Sequence, residues 1–149
     1  MIKLMKKRWK MEGIVKGAGV WCAGVAVYFI GGFDLFLEAL LVCMLVDYIM
    51  GLTVAGLYQR SEKTDTGGLN SFVGWMGISK KITSLLFVII GVELQKMTGI
   101  AGIREGIIVA LVLNELISII ENAGLMGVPV PKPLTDVIDV LKAKEKTNE

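Results

Sequence analysis

Four carboxylic acids lie in or near long apolar stretches of the sequence, where an ionised side chain is costly: Asp47, Glu93, Glu115 and Glu121. A charge at the centre of a bilayer costs about 2.5–3.5 kcal/mol on insertion scales, so it is retained where it faces protein, water or a partner. Asp47 and Glu115 lie near the middle of their stretches, and we expect them to be buried or to face a pore. Glu93 and Glu121, like Glu38, lie closer to the ends, where headgroups can solvate them.

Polar residues recur along one face of the last apolar stretch. Asn114, Ser118 and Glu121 are spaced by four and three, and Glu115, Ser118 and Asn122 by three and four. This spacing places them on one side of a helix. Two interpretations stay open, a hydrogen-bonded helix contact and the wet wall of a membrane lesion. Glu115 and Glu121 are about 120° apart around the helix, so we expect Glu115 to make the contact between subunits and Glu121 to be more solvated.

Small residues also repeat at intervals of four, a pattern that lets membrane helices approach closely. The repeats are Gly13 and Gly17; Ala18, Cys22 and Ala26; Gly51 and Ala55; and Gly102, Gly106 and Ala110. They predict helix packing, either within one chain or between copies. Gly51 and Ala55 are the small residues nearest to Asp47, and we include them in the predicted pore or oligomer interface.

The composition explains why a membrane is the natural setting for these residues. The chain has 149 residues, of which 54% are hydrophobic and 20% charged, with a mean hydropathy of +0.65. Soluble domains average about 45–50% apolar and about 25% charged residues. We predict one all-α integral membrane domain with four transmembrane helices, over about 14–30, 35–57, 82–97 and 103–123.

The segments between the spans are short or polar. Residues 31–34 and 99–102 predict tight turns, and 59–70 a polar loop. Residues 71–79, with apolar side chains three and four apart, predict a helix at the membrane interface. Three prolines after the last span stop the helix, and apolar residues then return with helical spacing, so we predict a short amphipathic helix and tail over 134–149.

Basic residues are distributed very unevenly with respect to these spans. With four spans, fourteen of the 16 Lys and Arg residues lie on one side, and only Lys96 and Arg104 on the other. The positive-inside rule then places both termini in the cytoplasm. Three spans would put one basic end outside, and we prefer four. The basic N-terminus followed by an apolar run also fits a signal peptide, but we expect an uncleaved first span.

Several classes of protein are disfavoured by what the sequence lacks. It has no histidine and shows no metal-ligand cluster or glycine-rich phosphate loop. Cys22 and Cys43 both lie in apolar runs and suit small buried side chains better than a disulfide framework. A net charge of +2 does not indicate nucleic acid. We therefore expect no enzyme activity, cofactor or metal.

Three sequence segments resemble the phage-type holins, the family that includes the clostridial toxin-secretion holins. The first is Val46-Asp47-Tyr48-Ile49-Met50-Gly51 with Ala55, similar to an Asp-Tyr-x-x-Gly signature, although Met50 stands where Thr or Ser is expected. The second is Gly77-Ile78-Ser79-Lys80-Lys81. The third is the run from Asn114 to Asn122, followed by Gly127-Val128-Pro129-Val130-Pro131 and Leu134. The resemblance covers about 35–141.

The resemblance implies a protein of the bacterial cytoplasmic membrane that forms homo-oligomers and opens lesions. Endolysin, or in some cases a large toxin, then reaches the cell wall, so cell lysis or toxin secretion follows. The lipid bilayer and further copies of the chain are the expected direct partners. Two alternatives stay open: a small proton-coupled exporter of drugs or cations, because intramembrane acids often relay protons, and an antiholin-type regulator of another holin.

Overall fold

The computed structural model describes residues 16–17, 19–21, 23–61, 68 and 70–136, and all regular structure in these residues is helical. The chain divides into two units, one ending at Phe33 and the other beginning at Asp34. In the first unit, the described residues of Gly19–Phe29 form an apolar helix. Gly31 and Gly32 follow with φ of 85° and 98°. These values favour glycine, and the predicted turn at 31–34 is confirmed.

The first helix of the second unit, α1, spans Leu35–Thr53 and continues as a π-helix over Val54–Tyr58. It begins at Asp34 because the carboxylate of this residue accepts a hydrogen bond from the backbone N–H of Leu37 at 2.9 Å, which satisfies one of the free N–H groups at the helix start. The two helical segments together are about 36 Å long, enough to cross the hydrocarbon core of a bilayer.

The second helix, α2, is continuous over Ser71–Thr98. Asn70 caps it by accepting a hydrogen bond from the backbone N–H of Phe72 at 2.9 Å. One helix therefore contains both the segment predicted to lie at the interface, 71–79, and the predicted span, 82–97, and the bounds of that span stay a prediction. Lys80 and Lys81, which separate the two predicted segments, lie inside this helix, since lysine is a good helix former and no proline interrupts the chain there.

The third helix, α3, spans Ile103–Met126, close to the predicted 103–123. Gly99 and Gly102 have φ of 70° and 88° and turn the chain between α2 and α3, as the sequence predicted. Residues 132–136 form a helical turn, and the rest of the amphipathic segment predicted over 134–149 lies outside the described residues. α1 and α3 run in the same direction, and α2 runs against both.

Packing within this unit is concentrated on α3. α1 and α2 both pack against α3, whereas α1 and α2 meet each other much less. The buried apolar side chains are Leu37, Leu40, Met44, Val54, Val88, Val92, Ile108 and Ala123. α2 and α3 come closest at Gly91. A Cβ atom at this position would lie 2.7 Å from Cδ1 of Ile107 and 3.3 Å from Cα of Arg104.

The polarity of the bundle is the reverse of that in a soluble domain. Leu35–Tyr58 and Ser71–Thr98 are long and apolar enough to cross a membrane, and only 17% and 6% of their most apolar windows are buried. The buried polar residues include Arg104, Glu115 and Asn122. An apolar exterior around charged groups is the pattern of a helical membrane protein. The number of four spans stays a prediction.

Candidate functional site: a buried ionic cluster

Lys81 of α2 lies between two carboxylates from the neighbouring helices. Its ammonium nitrogen is 2.7 Å from Oδ2 of Asp47 and 2.6 Å from Oε2 of Glu115. These distances are those of close charge-assisted hydrogen bonds. The side chains of Lys81, Asp47 and Glu115 are 17%, 14% and 8% exposed. The cluster thus joins all three helices of the unit inside the bundle.

Asn122, about two helical turns after Glu115 on α3, completes the cluster. Its side-chain amide nitrogen donates a hydrogen bond to Oδ1 of Asp47 at 3.0 Å. Both carboxylate oxygens of Asp47 therefore have partners. A Cβ atom at Gly51 would lie 3.9 Å from the Asn122 amide nitrogen, in ordinary contact. Gly51, the small residue that the sequence placed near Asp47, thus lies beside the asparagine that binds it.

The helices place this cluster far from the ends of the bundle. Asp47 comes 12 residues after the start of α1, and Glu115 comes 12 residues after the start of α3. At about 1.5 Å per residue, both carboxylates are about 18 Å from the end of the bundle where α1 and α3 begin. A hydrocarbon core is about 30 Å thick, so the cluster lies within it if that end is at the membrane surface.

The charges in the cluster are unequal, because two acids share one base. Removing charges from water costs several kcal/mol per ion, and their attraction offsets this only with good geometry and satisfied hydrogen bonds. Loss of Lys81 would leave two carboxylates without a cation in the interior. Loss of either carboxyl charge would leave one balanced pair. Lys81 is therefore the residue on which the arrangement depends most.

A second ionic cluster lies at the end of the bundle where α1 and α3 begin. Two guanidinium nitrogens of Arg104 contact the Asp34 carboxylate, at 2.6 and 3.3 Å, in the forked geometry that arginine favours. Arg104 is 3% exposed. The hydrogen bond from Arg104, and then that from the Leu37 N–H, lowers the pKa of the Asp34 carboxyl group below its usual value. The same aspartate thus caps α1 and joins it to α3.

Arg104 makes two further contacts, with Gln95 and Glu105. Its backbone N–H donates to Oε1 of Gln95 at 3.2 Å, and its guanidinium is 3.4 Å from Oε1 of Glu105. The other carboxylate oxygen of Glu105 is buried and has no hydrogen-bond partner. The backbone of α3 at Arg104 is therefore held by α1 through Asp34 and by α2 through Gln95.

The structure divides the residues that the sequence singled out. Asp47, Glu115, Asn122 and Gly51 come together in the Lys81 cluster. Glu93 is exposed and pairs with Lys96 at 2.9 Å along α2. The others take no part in this cluster: Glu38, Asn114 and Glu121 are exposed, and Ser118 and Ala55 are partly buried. The polar stripe of α3 is thus split between the interior and the surface.

Sequence reasoning missed Lys81, Arg104 and Gly91 as key positions. The signal for Lys81 was present, because two acids near mid-span on other helices require a cation. Lys81 also lies on the same face of α2 as Ser84, Val88 and Gly91, at spacings of three and four. Chemistry at these clusters is limited to proton and ion-pair exchange. Among the described residues, no group of three or more His, Cys, Asp or Glu side chains could hold a metal ion.

Comparison with known proteins gives a consistent result. An uncharacterised protein of Halalkalibacterium halodurans is 34% identical over 145 residues, covering 91% of this chain and 98% of its own. A 14.9 kDa protein of Clostridium perfringens is 32% identical over 117 residues, covering 77% and 83%. A probable holin of Bacillus phage phi105 is 27% identical over 109 residues, covering 72% and 75%.

No solved structure matches the chain. The family model described as the bacteriophage holin family matches residues 24–143. The match includes all three helices of the second unit and both ionic clusters. The chain therefore belongs to the bacteriophage holin family.

Proposed function

We propose that this protein is a holin, which accumulates in the bacterial cytoplasmic membrane, oligomerises and opens lesions large enough to release a protein. The supporting observation is that a chain of the holin family has a largely apolar exterior and holds the charges of Lys81, Asp47 and Glu115 inside. Such a bundle can accumulate harmlessly in lipid. Its inner polar groups can meet water only after helices move or copies associate.

Association of copies is supported by one face of α3. Gly102, Gly106 and Ala110 are all exposed, and a Cβ atom at Gly106 would have nothing within 4 Å. A small-residue face lets a second membrane helix approach closely. We propose that copies of the chain meet there, and that the released cargo is an endolysin or a large toxin.

The test is inducible expression in a bacterium with and without a soluble endolysin in the cytoplasm. We expect abrupt entry of a small dye after a delay, because assembly depends on concentration, and lysis only when endolysin is present. Endolysin expressed alone is the control and should leave the cells intact. If cells stay impermeant to dye at high membrane levels of the protein, the holin proposal is wrong.

One observation favours a second candidate, a small proton-coupled exporter. Asp47 and Glu115 are paired with a lysine at membrane depth, and such acids can relay protons. An exporter would move a small cation out of the cell while the membrane stayed sealed to dye. An antiholin would be harmless alone and would delay lysis by a coexpressed holin.

A further inference from the structure

The three charged groups of the Lys81 cluster point inward. Lys81, Asp47 and Glu115 use one another as partners, and their side chains are at most 17% exposed. The outer surface near this level is largely apolar, with Leu45, Val46 and Leu86 exposed, and it carries the polar side chains of Lys80 and Asn114. A lesion needs a wet wall, so the described conformation is not lesion-forming.

Helix α2 is the element whose packing is most uneven along its length. Near its C-terminal end, α2 lies tightly against α3, because Ile107 and Arg104 leave no room for a side chain at position 91. The short turn between Gly99 and Gly102 also keeps the two helices together there.

Packing is looser where α2 begins. An open groove of about 280 Å³ lies between α1 and the start of α2, lined by Tyr48, Leu52, Ser71, Trp75 and Ile78 among others. α1 and α2 also meet each other much less than either meets α3, and a Cβ atom added at Gly74 or Gly77 would lie no closer than 3.8 Å to Tyr48. A helix that is fixed at one end and loosely packed at the other can turn about its fixed end.

We propose that the Lys81 cluster is a latch that keeps the bundle closed, and that α2 turns about its Gly91 end when the latch opens. This inference depends on the proposed holin function. Lys81 is attached to α1 through Asp47 and to α3 through Glu115, between the tight and the loose ends of the helix. Opening replaces these ion pairs by water and turns the same three groups into part of the lesion wall.

Two variants test the latch because their effects have opposite signs. Lys81→Met leaves two carboxylates unpaired in the closed interior, which destabilises the closed form most. We expect lesions at about tenfold lower protein levels, hence earlier. The triple variant Lys81→Met, Asp47→Asn and Glu115→Gln has no charged group in the cluster. Opening then gains no free energy from hydrating charges, so lesions should form later than in the parent protein.

Lys80→Met is the matched control. It makes the same change one residue earlier, at an exposed position outside the cluster. Its time of dye entry should equal that of the parent protein. All variants are compared at equal membrane levels by the time of dye entry. If the single and triple variants shift the same way, or neither shifts, the latch is refuted. If the parent itself never admits dye, the proposed function fails instead.

A labelling experiment tests the movement without depending on the stability of a charge variant. Ser84 is partly buried on the Lys81 face of α2, whereas Thr83 is exposed on the outer surface. Cysteine is introduced at either position after Cys22 and Cys43 are replaced by alanine. Membrane vesicles prepared before and after dye entry are treated with a membrane-impermeant maleimide.

The cysteine of Ser84→Cys should react only after dye entry, because the closed bundle excludes water from it. The cysteine of Thr83→Cys should stay unreactive in lipid throughout. Absence of labelling at position 84 after dye entry would refute the turning of α2, and labelling at 84 before entry would show that the bundle is not closed. A cluster that only stabilises the fold would change neither reactivity.

Discussion

The close contact at Gly91 makes a quantitative prediction about the bundle. Gly91→Ala would place a Cβ atom 2.7 Å from Cδ1 of Ile107 and 3.3 Å from Cα of Arg104. The end of the isoleucine side chain can rotate away. The backbone of Arg104 cannot move freely, because its side chain is buried against Asp34 and its N–H is bound to Gln95. The strain therefore spreads into the second ionic cluster.

The magnitude follows from a comparison with Gly106→Ala. Both changes replace a helical glycine and gain about 1 kcal/mol of helix propensity. Position 106 has nothing within 4 Å of the new Cβ atom in the single chain, so in the monomeric protein only Gly91→Ala also incurs an overpacking cost of about 1–3 kcal/mol. We expect Gly91→Ala to be less stable than Gly106→Ala by that overpacking cost.

The assay is equilibrium unfolding of the purified protein in mixed micelles by SDS titration, followed by tryptophan fluorescence. The parent and both variants are measured at the same detergent concentration. A smaller midpoint for Gly91→Ala than for Gly106→Ala is the expected result. Equal midpoints, or a more stable Gly91→Ala, would show that α2 and α3 are not in close contact there, and would remove the fixed end about which α2 is proposed to turn.

Three further predictions concern charge and topology. The pKa of Asp34 is lowered in the folded protein, so its pairing adds stability above about pH 4, the unfolded value, and this is lost as pH falls through the folded pKa. Asp34→Asn keeps a capping side chain and should remove the fall of the SDS unfolding midpoint at acidic pH. An unchanged dependence of the midpoint on pH would contradict the pairing of Asp34 with Arg104. At matched membrane levels Glu115→Gln should alter the time of lysis onset more than Glu121→Gln, because Glu115 is buried in the Lys81 cluster and Glu121 is exposed; the reverse order would contradict this role of Glu115. Reporter fusions at Met1 and Glu149 should both give cytoplasmic signals, and an external signal from either end would exclude the four-span topology.

Much of the helical framework could be predicted from the sequence, because it depends on local properties. The apolar excess, the glycine turns before Leu35 and before Ile103, and the starts of α1 and α3 all follow from residues close together in the chain. The resemblance to holins likewise depends on short motifs and agrees with the family match over 24–143. The extent of α2 did not follow, because two adjacent lysines resemble a polar boundary whether or not a helix continues through them.

The partners of the intramembrane acids were decided by tertiary structure alone. The sequence identifies Asp47 and Glu115 as costly in an apolar stretch, but the same cost is relieved by water, by another copy or by a cation of the same chain. Lys81 is separated from each acid by 34 residues, and only the antiparallel placement of α2 beside α1 and α3 brings its ammonium between them. Helical periodicity fixes which residues share a face, whereas the partner of that face depends on how the helices are rotated and offset against one another.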